Sequence, residues 1–152
     1  MSPTFWRVID RIGSTPVAAL TWRTLLGDEE PGARGFLRKT RNRSLTLNDP
    51  ECACRVLDVY PEADGQFAAL GDERPALTLT DDELRETLPD LDAVRPALAA
   101  ALAFVPSAKT APVAPLIYHI GVVQPSRCRA MPVMLFVPAG VLTDRANFLR
   151  SL

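Results

Sequence analysis

A chain of 152 residues, 47% hydrophobic and 23% charged, is long enough to bury a core without metal or disulfide staples and too apolar to remain disordered as a whole. Its 17 basic and 18 acidic residues leave a net charge of -1, which excludes bulk attraction to nucleic acid or an anionic membrane and confines such binding to local patches. Three cysteines, an odd number without a charged-then-apolar leader, argue against a secreted disulfide scaffold, and every apolar stretch is broken well short of the roughly 18 residues of a membrane span. A cytoplasmic protein with no membrane partner is therefore expected. Abundant Ala, Arg, Pro and Leu beside only Lys39 and Lys109 suggest a GC-rich bacterial genome.

The chain begins with helical spacing over residues 4 to 12, where Phe5, Val8, Ile9 and Ile12 share a face and Gly13 stops the run. Thr15 as N-cap and Pro16 at the first helical position predict a second helix ending near Gly27, its apolar residues spread too widely for a single buried stripe. An acidic loop from Asp28 to Gly35 follows, and then the charge reverses. Arg34, Arg38, Lys39, Arg41 and Arg43 place five cations within ten positions.

The centre reads as a β-hairpin. Cys52, Cys54 and Val56 alternate onto one face and Arg55, Leu57 and Val59 onto the other, the Tyr60 to Gly65 stretch supplies Pro, Asp and Gly for the reversal, and Phe67 to Leu70 returns. A short strand over Ala76 to Leu79 is expected next. Thr80-Asp81-Asp82-Glu83 is a capping box that starts a helix ended by Pro89. A further helix runs from about Asp92 to Phe104, its regular part confined by Pro96 to residues near and after that proline. Residues 105 to 115, with three prolines, read as an irregular connector. Leu116 to Val123 and Pro132 to Val137 form a second hairpin around a basic turn, and Val141 to Leu152 a final amphipathic helix.

Several groups bear on chemistry. Cys52, Cys54, His119 and Cys128 are every Cys and His of the chain and would complete a tetrahedral zinc site, but a one-residue gap is tighter than the usual zinc knuckle, and buried free cysteines explain the same pattern. His119, the only histidine, is the natural general base; the plainer reading is a hydrogen-bonded His on a strand, since no nucleophile, phosphate-loop or dinucleotide motif accompanies it. From Asp58 to Asp92 eleven acids stand against Arg74 and Arg85, a solvated face or a docking surface for a basic partner. Arg34, Arg38, Lys39, Arg41 and Arg43 carry a nucleic-acid reading, with the Thr15 to Leu26 helix near the duplex. Only Phe36 lies close by for stacking, and the acidic centre could neutralise the run within the same molecule.

The pattern Cys52-Ala53-Cys54-Arg55-Val56, Gly65 to Ala69, Leu79 to Asp82, the Ala-rich helix and Met131 to Leu135 resembles an uncharacterised bacterial domain with a Cys-Pro-rich, zinc-ribbon-like hairpin, sometimes attached to a helix-turn-helix segment. The likeness covers about residues 50 to 138. In that family a second cysteine pair follows the returning strand; here Leu70 to Ala76 contains no cysteine. The resemblance implies a binding or regulatory role and no activity.

Together these patterns predict an α+β domain spanning residues 1–152: a helical and basic amino-terminal part over 1–48, a core over 49–138 with an antiparallel sheet from two hairpins and Ala-rich helical cover, and a carboxy-terminal helix over 139–152. The expected function is that of a non-catalytic interaction or regulatory module of a bacterial intracellular assembly, with a protein partner and no cofactor, in which terminal helices and charge-segregated surfaces make the contacts. Nucleic-acid binding through 34–43 is the alternative, and an enzyme using His119 a second one.

Overall fold

In the computed structural model, which describes residues 2–49, 55–71, 76–126 and 129–138, Ser2 caps the first helix, α1 (Pro3–Ile12), by accepting from the Phe5 amide. Pro3 costs nothing at a position whose N–H has no helical partner. Phe5, Val8, Ile9 and Ile12 are buried, as their spacing requires, and Gly13 closes the helix at a positive φ of 69°. The second helix starts later than predicted. Val17–Ala18 form a short strand, β1, and α2 runs only over Ala19–Leu26, without a side-chain cap. Thr15 and Pro16 do not open it because β1 is claimed by a neighbour: Val17 and Ala18 pair antiparallel with Thr87 and Glu86.

After the short helix α3 (Glu30–Ala33), the basic run becomes strand β2 (Leu37–Arg43). Strands β3 (Thr46–Asn48), β4 (Val56–Pro61), β5 (Phe67–Leu70) and β6 (Leu77–Leu79) come next and form one antiparallel sheet in that order. Its β4–β5 pair and β6 correspond to the predicted hairpin and third strand, except that Tyr60 and Pro61, expected in the turn, extend β4 and pair with Ala68 and Phe67. Leu47, Leu57, Ala69 and Leu79 line its buried face together with Leu84 and Ala18. Cys52 and Cys54 lie outside the described residues.

The capping box forms, with Thr80 accepting from the Glu83 amide and the Glu83 carboxylate accepting from the Thr80 amide. The helix it opens, α4, covers only Asp81–Leu84, and Arg85–Pro89 is strand β7 rather than helix. Burial decides this: Leu84 is wholly inside, and β7 is the central strand of a sheet ordered β1–β7–β2, satisfied on both edges. Two ladders of backbone hydrogen bonds outweigh the weak helical preference of Arg-Glu-Thr-Leu.

Helix α5 (Leu91–Leu102) also differs from expectation, since it starts five residues ahead of Pro96. The Asp90 carboxylate caps it by accepting from the Asp92 and Ala93 amides, and the Thr110 hydroxyl donates to the Leu91 carbonyl. The first turn is thus pinned from outside, and the proline is accommodated. Residues 105 to 114 are not a connector but a long strand, β8 (Val105–Ala114), on the edge of a sheet ordered β10–β9–β8, with β9 (Ile117–Val123) and β10 (Met131–Phe136) forming the second hairpin. Pro106 and Pro112 are tolerated because an edge strand needs only half of its donors, and the register shifts around them. The predicted helix from Val141 lies outside the described residues.

Each hairpin therefore belongs to a sheet of its own, and the architecture is α+β with antiparallel sheets. The main core joins α1 and α2 to Val94 of α5 and to Val137, with Phe5 stacked among Trp6, Trp22 and Phe36 at centroid distances of 5.6, 6.4 and 5.7 Å. No helix among the described residues is long and apolar enough to cross a membrane.

Candidate functional site

Strand β2 carries Arg38, Lys39, Arg41 and Arg43 along the edge of the first sheet, where it meets the acidic turn of α4, and Arg34 lies in the turn before it. Three carboxylates in a row each find a different cation there: Asp81 accepts from both Arg43 and Arg85, Asp82 from Lys39, and Glu83 from Arg23 at 3.2 Å. Arg34 pairs with Glu30 one helical turn away, at 2.7 Å. The Arg43 guanidinium hydrogen bonds hold the Asp81 carboxyl below the usual range, Lys39 does the same for Asp82, and the Thr80 amide is the largest cause for Glu83. The pairing lowers the net charge that β2 presents, but these ions are mostly exposed, so each pair is worth little alone.

Of the five predicted cations, Arg34, Lys39 and Arg43 are thus committed to acids of the same molecule. Arg38 and Arg41 have no carboxylate partner among the described residues. They are also separated. Arg38 lines a cleft of about 200 Å³ with Asp90, Asp92, Thr110 and Tyr118. There the Thr110 amide is the main cause that holds the Asp92 carboxyl low, and Arg95 donates to the same oxygen at 2.8 Å.

Arg41 sits where β2 leaves its ladder. Lys39 faces Thr87 and Arg43 faces Arg85, so three residues of β2 stand between positions that enclose only one residue of β7. The surplus chain bulges, and the Thr40 hydroxyl accepts from the Asn42 amide within it while Arg85 donates to the Arg41 carbonyl at 3.0 Å. Arg41, Arg43 and Arg85 then line a groove of about 570 Å³ together with Ser44, Leu45, Val59, Pro61, Phe67 and Leu84. The Arg43 guanidinium lies 5.3 Å from the Phe67 ring centroid, a cation–π contact.

Neither Arg85 nor Phe67 is marked by the sequence as a site residue. Arg85 stands in an acidic stretch that reads as helix, and Phe67 belongs to a different hairpin. Only the bulge and the packing of the two sheets bring them to Arg41, and no local signal announces that.

His119 lies on β9 opposite Met134 of β10 and Ala111 of β8. Its cross-strand neighbours offer no carboxylate to orient or charge the ring. The register shift in β10 after Val133 falls opposite Ile120, which joins the cluster under α5, while a Cβ on Gly121 would point at the Phe104 ring. Two consecutive residues of β9 thus turn inward, and His119 and Val122 share the outer face. Val105, directly opposite Val122, is 70% exposed, and Met134, opposite His119, 45%. Among the described residues no group of three or more His, Cys, Asp or Glu could hold a metal ion. Cys52, Cys54 and Cys128, the other members of the suggested zinc quartet, lie outside them.

Compared with known proteins, the chain matches no family model, no curated protein and no solved structure.

Proposed function

We propose that the chain is a non-catalytic interaction module that binds a protein partner through the outer face of the β8–β9–β10 sheet. The observation that carries this reading is the chemistry of that face: Val105 pairs with Val122, and Ala111 and Met134 flank His119, with no Asp, Glu, Lys or Arg at these ladder positions. Exposed apolar side chains such as Val105 and Met134 on one sheet face are what a contact site presents. The partner contributes a folded apolar surface, not an added strand, because Pro106 and Pro112 on β8 and Pro132 on β10 remove donors that strand addition would use. A binding or regulatory role also agrees with the zinc-ribbon-like resemblance.

The test compares the wild-type chain with a Val105→Asp, Met134→Asp double variant, both purified with their associated proteins from the source cells. A stoichiometric companion protein retained by the wild type and lost by a variant of unchanged circular dichroism supports the proposal. The same companions with both forms, or none with either, overturn it.

Nucleic-acid contact through the 34–43 segment is the second reading, favoured by Arg38 and Arg41, which lack carboxylate partners among the described residues. Its signature is quantitative. Five phosphate contacts give a logarithmic salt slope of roughly −4.5, two give roughly −1.8. The internal pairing of Arg34, Lys39 and Arg43 leads to the smaller slope, and no binding at low salt removes the reading.

A further inference from the structure

We propose that the groove between the bulge of β2 and the β4–β5 hairpin is a binding site for a phosphate monoester carried on a planar, apolar body. Its charge suits a dianion. Arg41, Arg43 and Arg85 line the groove, and the carboxylate of Asp81 is bonded to two of them, so three guanidiniums less one carboxylate leave two positive charges. A phosphomonoester near neutral pH carries about −1.5 to −2, which matches that surplus, whereas a carboxylate would neutralise only half of it.

The donors are also of the right shape. Guanidinium groups present paired N–H donors that suit phosphate oxygens bidentately, and Arg41 has no carboxylate competitor among the described residues. Arg85 is already fixed by two hydrogen bonds, to Asp81 and to the Arg41 carbonyl, so it would be ordered before a ligand arrives. Holding a donor in place beforehand reduces the entropy cost of binding.

The apolar part of the lining calls for an apolar body on the phosphate. Val59, Pro61 and Phe67 give the lining an apolar part beside the arginines, and Leu45, 77% exposed, adds to it. A bare inorganic anion would leave these side chains against water, while a ring attached to the phosphate would cover them and lie near Phe67. The cavity, about 570 Å³, is within the range of small-molecule sites. This site is distinct from the outer face of the β8–β9–β10 sheet and does not depend on the partner proposed for it.

The experiment follows backbone amide NMR shifts during titration of the full chain with phenyl phosphate, inorganic phosphate and benzoate. Saturable shifts of residues 41–45, 59–67 and 85 with phenyl phosphate, at least about tenfold tighter than with either other probe, are expected. Arg41→Ala should weaken phenyl phosphate about tenfold, and Phe67→Leu, which keeps the apolar character but not the ring, should remove most of its advantage over inorganic phosphate. Acidification through about pH 6 should weaken phenyl phosphate as it becomes a monoanion and leave benzoate unchanged. Phosphotyrosine and adenosine monophosphate form the last two arms: tighter binding of one identifies the source of the ring. The proposal is overturned if phenyl phosphate does not saturate in the millimolar range, if inorganic phosphate binds equally well, or if a folded Arg41→Ala variant binds as the wild type does.

Discussion

The indole Nε1 of Trp22 donates a 3.0 Å hydrogen bond to the backbone carbonyl of Thr87, inside the protein. It ties α2 to the middle strand of the first sheet, which is flanked by β1 and β2. Both residues are nearly inaccessible, so no water replaces the donor if it is lost. Trp22→Phe should therefore destabilise the protein by about 1–2 kcal/mol through the lost hydrogen bond and the smaller ring. A urea titration followed by circular dichroism checks this. An unchanged midpoint would mean that the bond contributes nothing net.

How far the sequence discloses such contacts depends on their range. Helix α1, the Thr80 capping box, the β4–β5 reversal and the β9–β10 pair are legible because each is written in neighbouring residues: apolar spacing, a cap, a turn. Strands β1 and β7 are not, because Val17-Ala18 and Arg85–Pro89 become strands only by pairing with each other and with β2. Strand β8 is hidden by its prolines, which argue for a loop until its edge position is known. The basic cluster is legible as composition, but its partners are not. That Asp81 and Asp82 sit on Arg43 and Lys39 depends on the β2–β7 register, which no local pattern sets.

Gly121 provides a sharper steric test. A Cβ built on it would stand 2.4 Å from the Val105 carbonyl oxygen and 2.5 Å from the Phe104 ring. The oxygen belongs to the neighbouring strand and the ring is buried, so neither gives way cheaply. Gly121→Ala should cost about 1–3 kcal/mol by overpacking, despite its gain in chain stiffness. The companion change Gly32→Ala, with nothing within 4 Å of its added carbon, should be close to neutral. Thermal midpoints of the two variants decide the matter, and equal midpoints contradict it.

Acid should weaken the α4–β2 junction. Asp81, Asp82 and Glu83 all have carboxyls held below their ordinary values, by Arg43, Lys39 and the Thr80 amide respectively. A carboxyl lowered in the folded state contributes stability above the unfolded value, near 4, and loses it as pH falls through the folded value. Stability should thus decline as pH drops below about 4.5, less steeply in Asp81→Asn than in the wild type. Because the ions are exposed, high salt should flatten both profiles. Urea midpoints measured across this range test the sign, and a wild-type curve that rises toward acid would contradict it.

Pro96 is the residue whose replacement should stabilise the protein. It sits in the second turn of α5, where it supplies no N–H and its ring presses on the preceding turn, a disposition that costs about 3 kcal/mol in an unconstrained helix. The helix survives because its first turn is held by the Asp90 cap and by Thr110, which donates from its amide to Asp92 and from its hydroxyl to the Leu91 carbonyl. Replacing Pro96, an exposed position, removes the strain but also restores freedom to the unfolded chain, worth about 0.4–1 kcal/mol. The first effect is the larger, so Pro96→Ala should raise stability by about 2 kcal/mol. The same substitution combined with Asp90→Ala should give back about 1 kcal/mol, the usual worth of an N-cap. If Pro96→Ala instead lowers the thermal midpoint, the ring is packed into the fold and not merely tolerated by it.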